Sequence, residues 1–384
     1  MTREIAAKPD LVAETTALAP LIMQHAAQSE RERRLAEPVV DGLRRTGLFH
    51  AVVPRTLGGG EAEPAILLEA IEGLSRADAS TGWIAMIGSS TGLVSAYLEE
   101  SAAVDIFGRG PGIIAAGVVA PRGELTKEPG GYRLRGRWSF ASGCLHAEWI
   151  GLTCSAATEG GEPDAVMALV PTSEVEIIDT WSVSGLRATG SHDVRATDLL
   201  VPEERTFSFA FGRPRHDGPL YGFSMRGLLS LCVAAVALGT ARGALDDVAE
   251  LASAKTPAGR RGTLATWGIA QAEYARGVGE LSAARALLHE STAGMWHTLS
   301  RREKPTAEQR ALVRLAASQT VAGSVRAVDI AYSLGGGSSI YETSLLQRRF
   351  RDIHTLTQHF IINAGSFEGA GRALLSQDVP PGFL

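Results

Sequence analysis

Apolar residues recur at three- and four-residue spacing through roughly the first hundred positions, a period that predicts helices. The stretches 11–28 and 29–46 each carry such a face, the second built from Leu35, Val39, Val40 and Leu43 between charged positions. Gly47 and the run Val52-Val53-Pro54 stop it, because proline holds the residue before it in extended geometry. Gly58-Gly59-Gly60 reads as a loop, and two further helices are predicted over 64–77, with Leu67, Leu68, Ile71 and Leu74 on one face, and over 80–97. Near Pro111 the period shortens to β-type runs broken by Gly, Pro and Asp, at 113–115, 132–138, 149–153, 166–170, 175–178 and 198–201. They predict a small antiparallel barrel or sandwich. After a polar loop at 205–219, helical spacing returns near 222–252, 260–292, 305–334 and 344–376, lengths that suit a bundle. Helices, then strands, then long helices is the α+β order, mainly α, with divisions at 1–110, 111–218 and 219–384.

Composition changes this picture little. The chain has 384 residues, 45% hydrophobic and 21% charged, so it can bury a sizeable core. A net charge of −5 gives no reason to expect a nucleic acid or an anionic membrane as partner. Three scattered cysteines, Cys144, Cys154 and Cys232, are too few for a disulfide framework or a zinc cluster and fit a reducing compartment. The first residues lack the apolar core of a signal peptide, and the most apolar run, 227–241, is shorter than a bilayer span needs. The expected compartment is the cytoplasm. Glycine is the exception, with 43 residues, about 11% against a usual ~7%.

Three segments offer chemistry. Trp138-Ser139-Phe140-Ala141-Ser142-Gly143 ends a strand run and presents a hydroxyl and a backbone N–H beside aromatic rings, suited to a planar heterocycle and equally to a turn over core aromatics. The stretch from Trp181 to Val194 concentrates small hydroxyls, glycines and Arg187, an anion-binding composition that an ordinary polar loop shares; His192 in it reads as a surface histidine. The third is Gly335-Gly336-Gly337 followed by the helical run 345–360. On a wheel Leu346, Phe350, Ile353, Thr357 and Phe360 form one stripe, and Asp352, Thr355 and His359 form another facing solvent or a cavity, where His359 can serve as acid or base. His354 and His359 are five apart and do not make a helical metal pair, so no metal is expected. The Rossmann and Walker glycine patterns are missing.

Taken in this order, 136–143 with Trp149, 185–194 leading to Val201-Pro202-Glu203-Glu204, and 335–359 resemble the acyl-CoA dehydrogenase superfamily, and within it the reduced-flavin-dependent monooxygenases. The resemblance extends to Ala79-Ser80-Thr81-Gly82-Trp83 and covers nearly the whole chain. It implies an N-terminal helical domain, a middle β-barrel and a C-terminal four-helix bundle, assembled as a homotetramer with flavin between barrel and bundle. It also implies that a separate reductase supplies reduced FMN or FAD, and that a C4a-hydroperoxyflavin formed with dioxygen passes one oxygen atom to a small organic substrate. By the same resemblance Ser142 lies beside the flavin N5 and O4, Phe140 with its neighbour Ala141 lies against the ring, and Thr189 and Ser191 lie near its phosphate. Gly335 and Gly336 match a glycine pair that approaches flavin held by another subunit. His359 matches the histidine beside the flavin–oxygen adduct, and Trp83, Ser89 and Phe209 are the substrate-pocket candidates, Phe209 belonging to the alternating aromatics Phe207, Phe209 and Phe211.

The departures bear on the reaction. Where many dehydrogenases place a catalytic carboxylate, this chain has His359-Phe360, and Glu368-Gly369 lies sixteen residues after Asp352, so Glu368 reads as a solvated helix residue. The second histidine of several monooxygenases is replaced by the Gly88-Ser89-Ser90-Thr91 region. An acyl-CoA or acyl-carrier dehydrogenase with a displaced base, and a non-catalytic family member, are the two other readings.

Overall fold

A computed structural model of the protein describes residues 10–156, 164–209 and 212–379. Six helices come first: α1 (Leu11–Thr16), α2 (Ala19–Glu32), α3 (Glu37–Arg45), α4 (Pro64–Ala77), α5 (Ala79–Thr91) and α6 (Glu100–Phe107). Local chemistry sets their ends. Asp10 and Asp78 cap α1 and α5 by accepting backbone N–H groups of the first turn. The single helix expected over 29–46 breaks where Arg33 turns left-handed at φ 56°, and Pro38 restarts the chain in the first turn of α3, a position that tolerates its missing N–H. Helix α6 went unforeseen, and the helix expected over 80–97 ends at Thr91 and continues as a 3-10 turn over Gly92–Ala96.

Seven strands follow: β1 (Ala115–Glu128), β2 (Gly131–Trp138), β3 (Trp149–Ala156), β4 (Asp164–Pro171), β5 (Glu176–Ile178), β6 (Asp193–Val201) and β7 (Thr206–Ser208). They form one sheet in the order β5-β6-β2-β1-β3-β4-β7. It departs from the antiparallel pattern expected, because β1 and β3 run parallel, with a register break between Val118 and Gly123. Strand β1 is also much longer than the run 113–115, since its second half is too charged to read as a buried strand. Gly123 and Gly136 press on the indole of Trp138, where a Cβ at Gly123 would lie 2.1 Å from Cζ2, and Trp138 donates its N–H to the Thr153 carbonyl at 2.6 Å.

The rest is helical: α7 (Met225–Ala254), α8 (Gly268–Ser300), α9 (Ala307–Gly335), α10 (Leu345–Leu356) and α11 (Ala364–Leu374). Helix α7 carries no charged residue from Gly227 to Ala241 and lies between α4, α5, α9 and α10. Burying Leu228, Leu231, Val233, Leu238 and Leu245 stabilises the fold by about 1.5–3 kcal/mol each relative to exposure. At 30 residues α7 is long and apolar enough to cross a membrane, contrary to the shorter run expected, yet 89% of its most apolar window is buried within the protein. One continuous core runs from Ile22 through the sheet to Ile362. The helix expected over 344–376 is two, because residues 357–363 form a turn and the Asn363 side chain caps α11 by accepting the Ser366 N–H. That break decides where His359 lies.

Candidate active site

A cavity of about 670 Å³ opens where α5, the sheet, α7 and the turn after α10 meet, lined by residues from all four. Trp83 of α5, Ser142 from the turn after β2, Thr189 and Ser191 from the loop before β6, and His359 all face it. Sequence positions 83, 142, 189, 191 and 359 thus converge.

Their hydroxyls form a chain. The indole N–H of Trp83 donates to Ser142 Oγ at 3.1 Å; Ser142 Oγ lies 2.6 Å from Ser191 Oγ, and Ser191 Oγ lies 2.7 Å from Thr189 Oγ1. Thr189 Oγ1 donates to the Leu186 carbonyl at 2.8 Å. Thr189 and Ser191, expected at a phosphate, stand directly behind Ser142. Trp83 also meets His359 edge-to-face, ring centroids 5.3 Å apart, so one indole touches both Ser142 and His359.

His359 lies three residues past the end of α10, off the helix on which the wheel placed it. Of the stripe read as facing solvent or a cavity, Thr355 and His359 face the cavity, while Asp352 is buried. The backbone N–H of Ile361 donates to His359 Nδ1 at 3.4 Å, leaving the imidazole proton on Nε2. Protein around the ring strips its water and pushes its pKa down to about 4, so the ring is neutral near pH 7. Asp352 accepts the Leu186 N–H at 2.6 Å, and burial, reinforced by the negative charge of Asp78, pushes its carboxyl up to about 7. Leu186 itself is left-handed at φ 50°. Its backbone is therefore held on both sides, the N–H by Asp352 and the carbonyl by the Thr189 hydroxyl.

Phe140 is the strained residue of the site. It adopts φ 64°, a region that costs a non-glycine residue about 1–3 kcal/mol, and it is 69% exposed at the cavity, with the Trp181 ring perpendicular to its own at 6.1 Å between centroids. A strained, uncovered aromatic ring next to a hydroxyl with a spare lone pair fits the face and polar edge of a flavin. Ala141 is buried between them. Phe209 lines the cavity against Phe207, while Phe211 lies outside the described residues.

Other candidates fall elsewhere. Ser89 is turned into α5, its hydroxyl donating to the Ala85 carbonyl at 2.7 Å; Ser90 and Thr91, one and two positions on, line the cavity in its place. Gly335 and Gly336 end α9 away from this cavity, Gly336 at φ 54°. His192 is buried, not superficial, and its Nδ1 accepts the N–H groups of Thr180 and Trp181. Arg187 donates to the Val183 carbonyl at 3.0 Å. Glu368 is exposed on α11 and pairs with Arg372 at 3.0 Å, as its reading as a solvated residue required.

The sequence reading missed the charge of the cavity. Arg122, Arg137 and Arg226 line it, and among the described residues no carboxylate does. Arg137, paired with Asp193 at 2.7 Å, lies inside the segment singled out for Ser142, but nothing in its spacing marked it as a cavity residue. Among the described residues no cluster of His, Cys, Asp or Glu is placed to hold a metal.

Helices around a sheet, followed by long helices, with a cavity at their junction, define an acyl-CoA dehydrogenase-like architecture. The profile "Acyl-CoA dehydrogenase, N-terminal domain" matches residues 15–102, and "Acyl-CoA dehydrogenase, C-terminal domain" matches 231–364. The chain is 31% identical over 356 residues to an indole-3-acetate monooxygenase of Pseudomonas putida, covering 92% of this chain and 91% of that one. It is 32% identical over 372 residues to the oxygenase component of an FADH2-dependent resorcinol hydroxylase of a Rhizobium species, covering 92% and 90%. The crystal structure of 3-HSA hydroxylase from a Rhodococcus species superposes with a TM-score of 0.92 at 25% identity over 98% of this chain and 99% of that one. XiaF from a Streptomyces species, in complex with FADH2 and glycerol, superposes at 0.91 with 27% identity over 97% of each. The chain belongs to the acyl-CoA dehydrogenase family, among its flavin-dependent monooxygenase oxygenase components.

Proposed function

We propose that this protein is the oxygenase component of a two-component monooxygenase that takes reduced flavin from a separate reductase and places one oxygen atom of dioxygen on a small aromatic substrate. The observation that carries the reading is the group of Phe140, Ser142, Trp83 and His359 around one cavity, with the relatives' shared activity behind it. Phe140 and Ser142 would hold the flavin ring, and the arginines of the cavity wall suit a ligand that carries phosphate. When bound, reduced flavin supplies the electrons that activate dioxygen. His359, neutral and carrying its proton on Nε2, can donate a hydrogen bond from that N–H to a developing oxyanion. Leu93, Val94, Phe209, Leu228, Leu229 and Phe360 keep water from the apolar part of the cavity and accept an aromatic ring.

The dehydrogenase reading needs a carboxylate at the substrate. Among the described residues the cavity wall has none, and Glu368 is paired with Arg372 at the surface, which favours the oxygenase. We propose in addition that the chain assembles as a homotetramer: Ile269, Ile340 and Tyr341 are 80%, 68% and 67% exposed around the ends of α8 and α9, an apolar surface that self-association would cover, and the resemblance assigns Gly335 and Gly336, at the end of α9, to the approach to flavin in another copy. The three divisions at 1–110, 111–218 and 219–384, and a cytoplasmic setting consistent with three free buried thiols, complete the proposal. Dioxygen uptake tests it. Purified protein with chemically reduced FMN or FAD is expected to bind the flavin and change its rate of oxidation; protein that leaves that rate untouched would refute the reading.

A further inference from the structure

The direction of the hydroxyl chain behind Ser142 follows from counting protons. The Trp83 indole can only donate, and the Leu186 carbonyl can only accept. Thr189 Oγ1 and Leu186 O stand 2.8 Å apart, a separation that two oxygen atoms hold only with a proton between them, so the Thr189 proton is committed there. The Trp181 indole and the Thr189 backbone N–H also point at that carbonyl, both at 3.1 Å, and neither supplies the missing proton between the two oxygens. Ser191 must then donate to Thr189, and Ser142 to Ser191. Ser142 has received the Trp83 N–H on one lone pair and given its own proton inward. One lone pair is left for the cavity, and no O–H.

A reduced flavin carries a proton on N5, whereas an oxidised flavin offers a bare N5 lone pair there. We propose that Thr189 and Ser191 are the residues that make this site select reduced over oxidised flavin, by locking Ser142 as a hydrogen-bond acceptor. The inference rests on the flavin reading above. Reduced flavin finds a partner at Ser142 in the chain as it stands. Oxidised flavin faces lone pair against lone pair unless all three hydroxyls reverse, which breaks the Thr189–Leu186 bond. One net hydrogen bond sets the preference at roughly tenfold. Thr189 and Ser191 are positioning residues in this role, since they act through Ser142.

The test is anaerobic titration of the full chain with reduced and with oxidised FMN, and again with FAD. Thr189→Val keeps the shape of the side chain and removes the proton that fixes the order, so Ser191 can donate to Ser142 and Ser142 outward. The expected result is a gain: oxidised flavin binds more tightly, the preference for reduced flavin falls roughly tenfold, and the two-electron potential of bound flavin drops by about 30 mV. Ser191→Ala, which removes the acceptor of the Ser142 proton, is expected to move the preference the same way, and Thr189→Ser to restore it. A purely structural role would weaken both forms alike. A wild type that binds reduced flavin, with an unchanged reduced-to-oxidised ratio in Thr189→Val and Ser191→Ala, would overturn the inference and leave the oxygenase reading intact. A wild type that binds neither form would overturn both.

Discussion

Asp352→Asn tests whether the carboxyl behind the Leu186 loop is held against its own ionisation. Asp352 is 4% exposed, and its pKa rises from an ordinary 3.8 to about 7, chiefly through burial. At about 1.4 kcal/mol per pH unit, the folded protein spends about 4 kcal/mol to keep this group ionised above pH 7. The folded pKa lies above the unfolded one, so the folded state binds the proton more tightly. Stability from this group is therefore full below about pH 4 and is lost as pH rises to about 7. An asparagine does not titrate, and its amide oxygen can still accept the Leu186 N–H that Asp352 accepts at 2.6 Å. The variant is expected to be more stable than wild type by up to about 4 kcal/mol at pH 8 and nearly equal to it at pH 4, read from guanidinium unfolding midpoints at a series of pH values. Parallel stability curves for the two proteins across that range would refute the argument, because they would mean that Asp352 ionises in the fold as it does in water.

Three further outcomes follow from single residues. Phe140→Gly relieves the φ of 64° while giving up little packing from a side chain that is 69% exposed, so it is expected to stabilise the flavin-free protein by about 1 kcal/mol and weaken flavin binding in anaerobic titration. His146, buried with Nε2 accepting the Leu35 N–H, has its pKa pushed down to about 4 by burial, with a smaller contribution from Arg34. Its folded pKa lies below the unfolded one, so its stabilisation is full above about 6.5 and lost as pH falls to about 4. His146→Leu is thus expected to cost less at pH 4 than at pH 7, by about 3 kcal/mol, in the same unfolding assay. His359→Ala is expected to lower substrate oxygenation by about 10²–10⁴-fold while leaving reduced-flavin binding within a few fold, measured as product formed per flavin oxidised.

The site was legible in the sequence where short motifs carried it. Ser142, Phe140 and His359 stand out by resemblance, whereas the polar stripe of Asp352, Thr355 and His359 left solvent and a cavity both open, and it turns inward although the helix ends at Leu356. The wheel failed for His359 because a capping asparagine, Asn363, starts a new helix that no apolar period announces. Three features needed tertiary structure. Thr189 and Ser191 reach Ser142 only because the loop before β6 folds back over the turn after β2, a contact across about fifty residues of chain. Ser89 and Ser90 are neighbours in sequence, and only the orientation of α5 decides that the second faces the cavity. Arg122 lies on a strand half whose charged residues hid it from a search for apolar alternation, and the parallel pairing of β1 with β3 has no local signature at all.

In the function proposed above, the cavity brings reduced flavin, dioxygen and an aromatic substrate together. Its most direct measurement supplies the protein with reductase-generated reduced flavin, isotopically heavy dioxygen and a panel of indoles and phenols, and follows the label by mass spectrometry. One heavy oxygen atom in the product, dependent on His359, is expected. Heavy oxygen recovered only as hydrogen peroxide across the panel, together with bleaching of bound oxidised flavin by an acyl thioester in the absence of reductase, would contradict it.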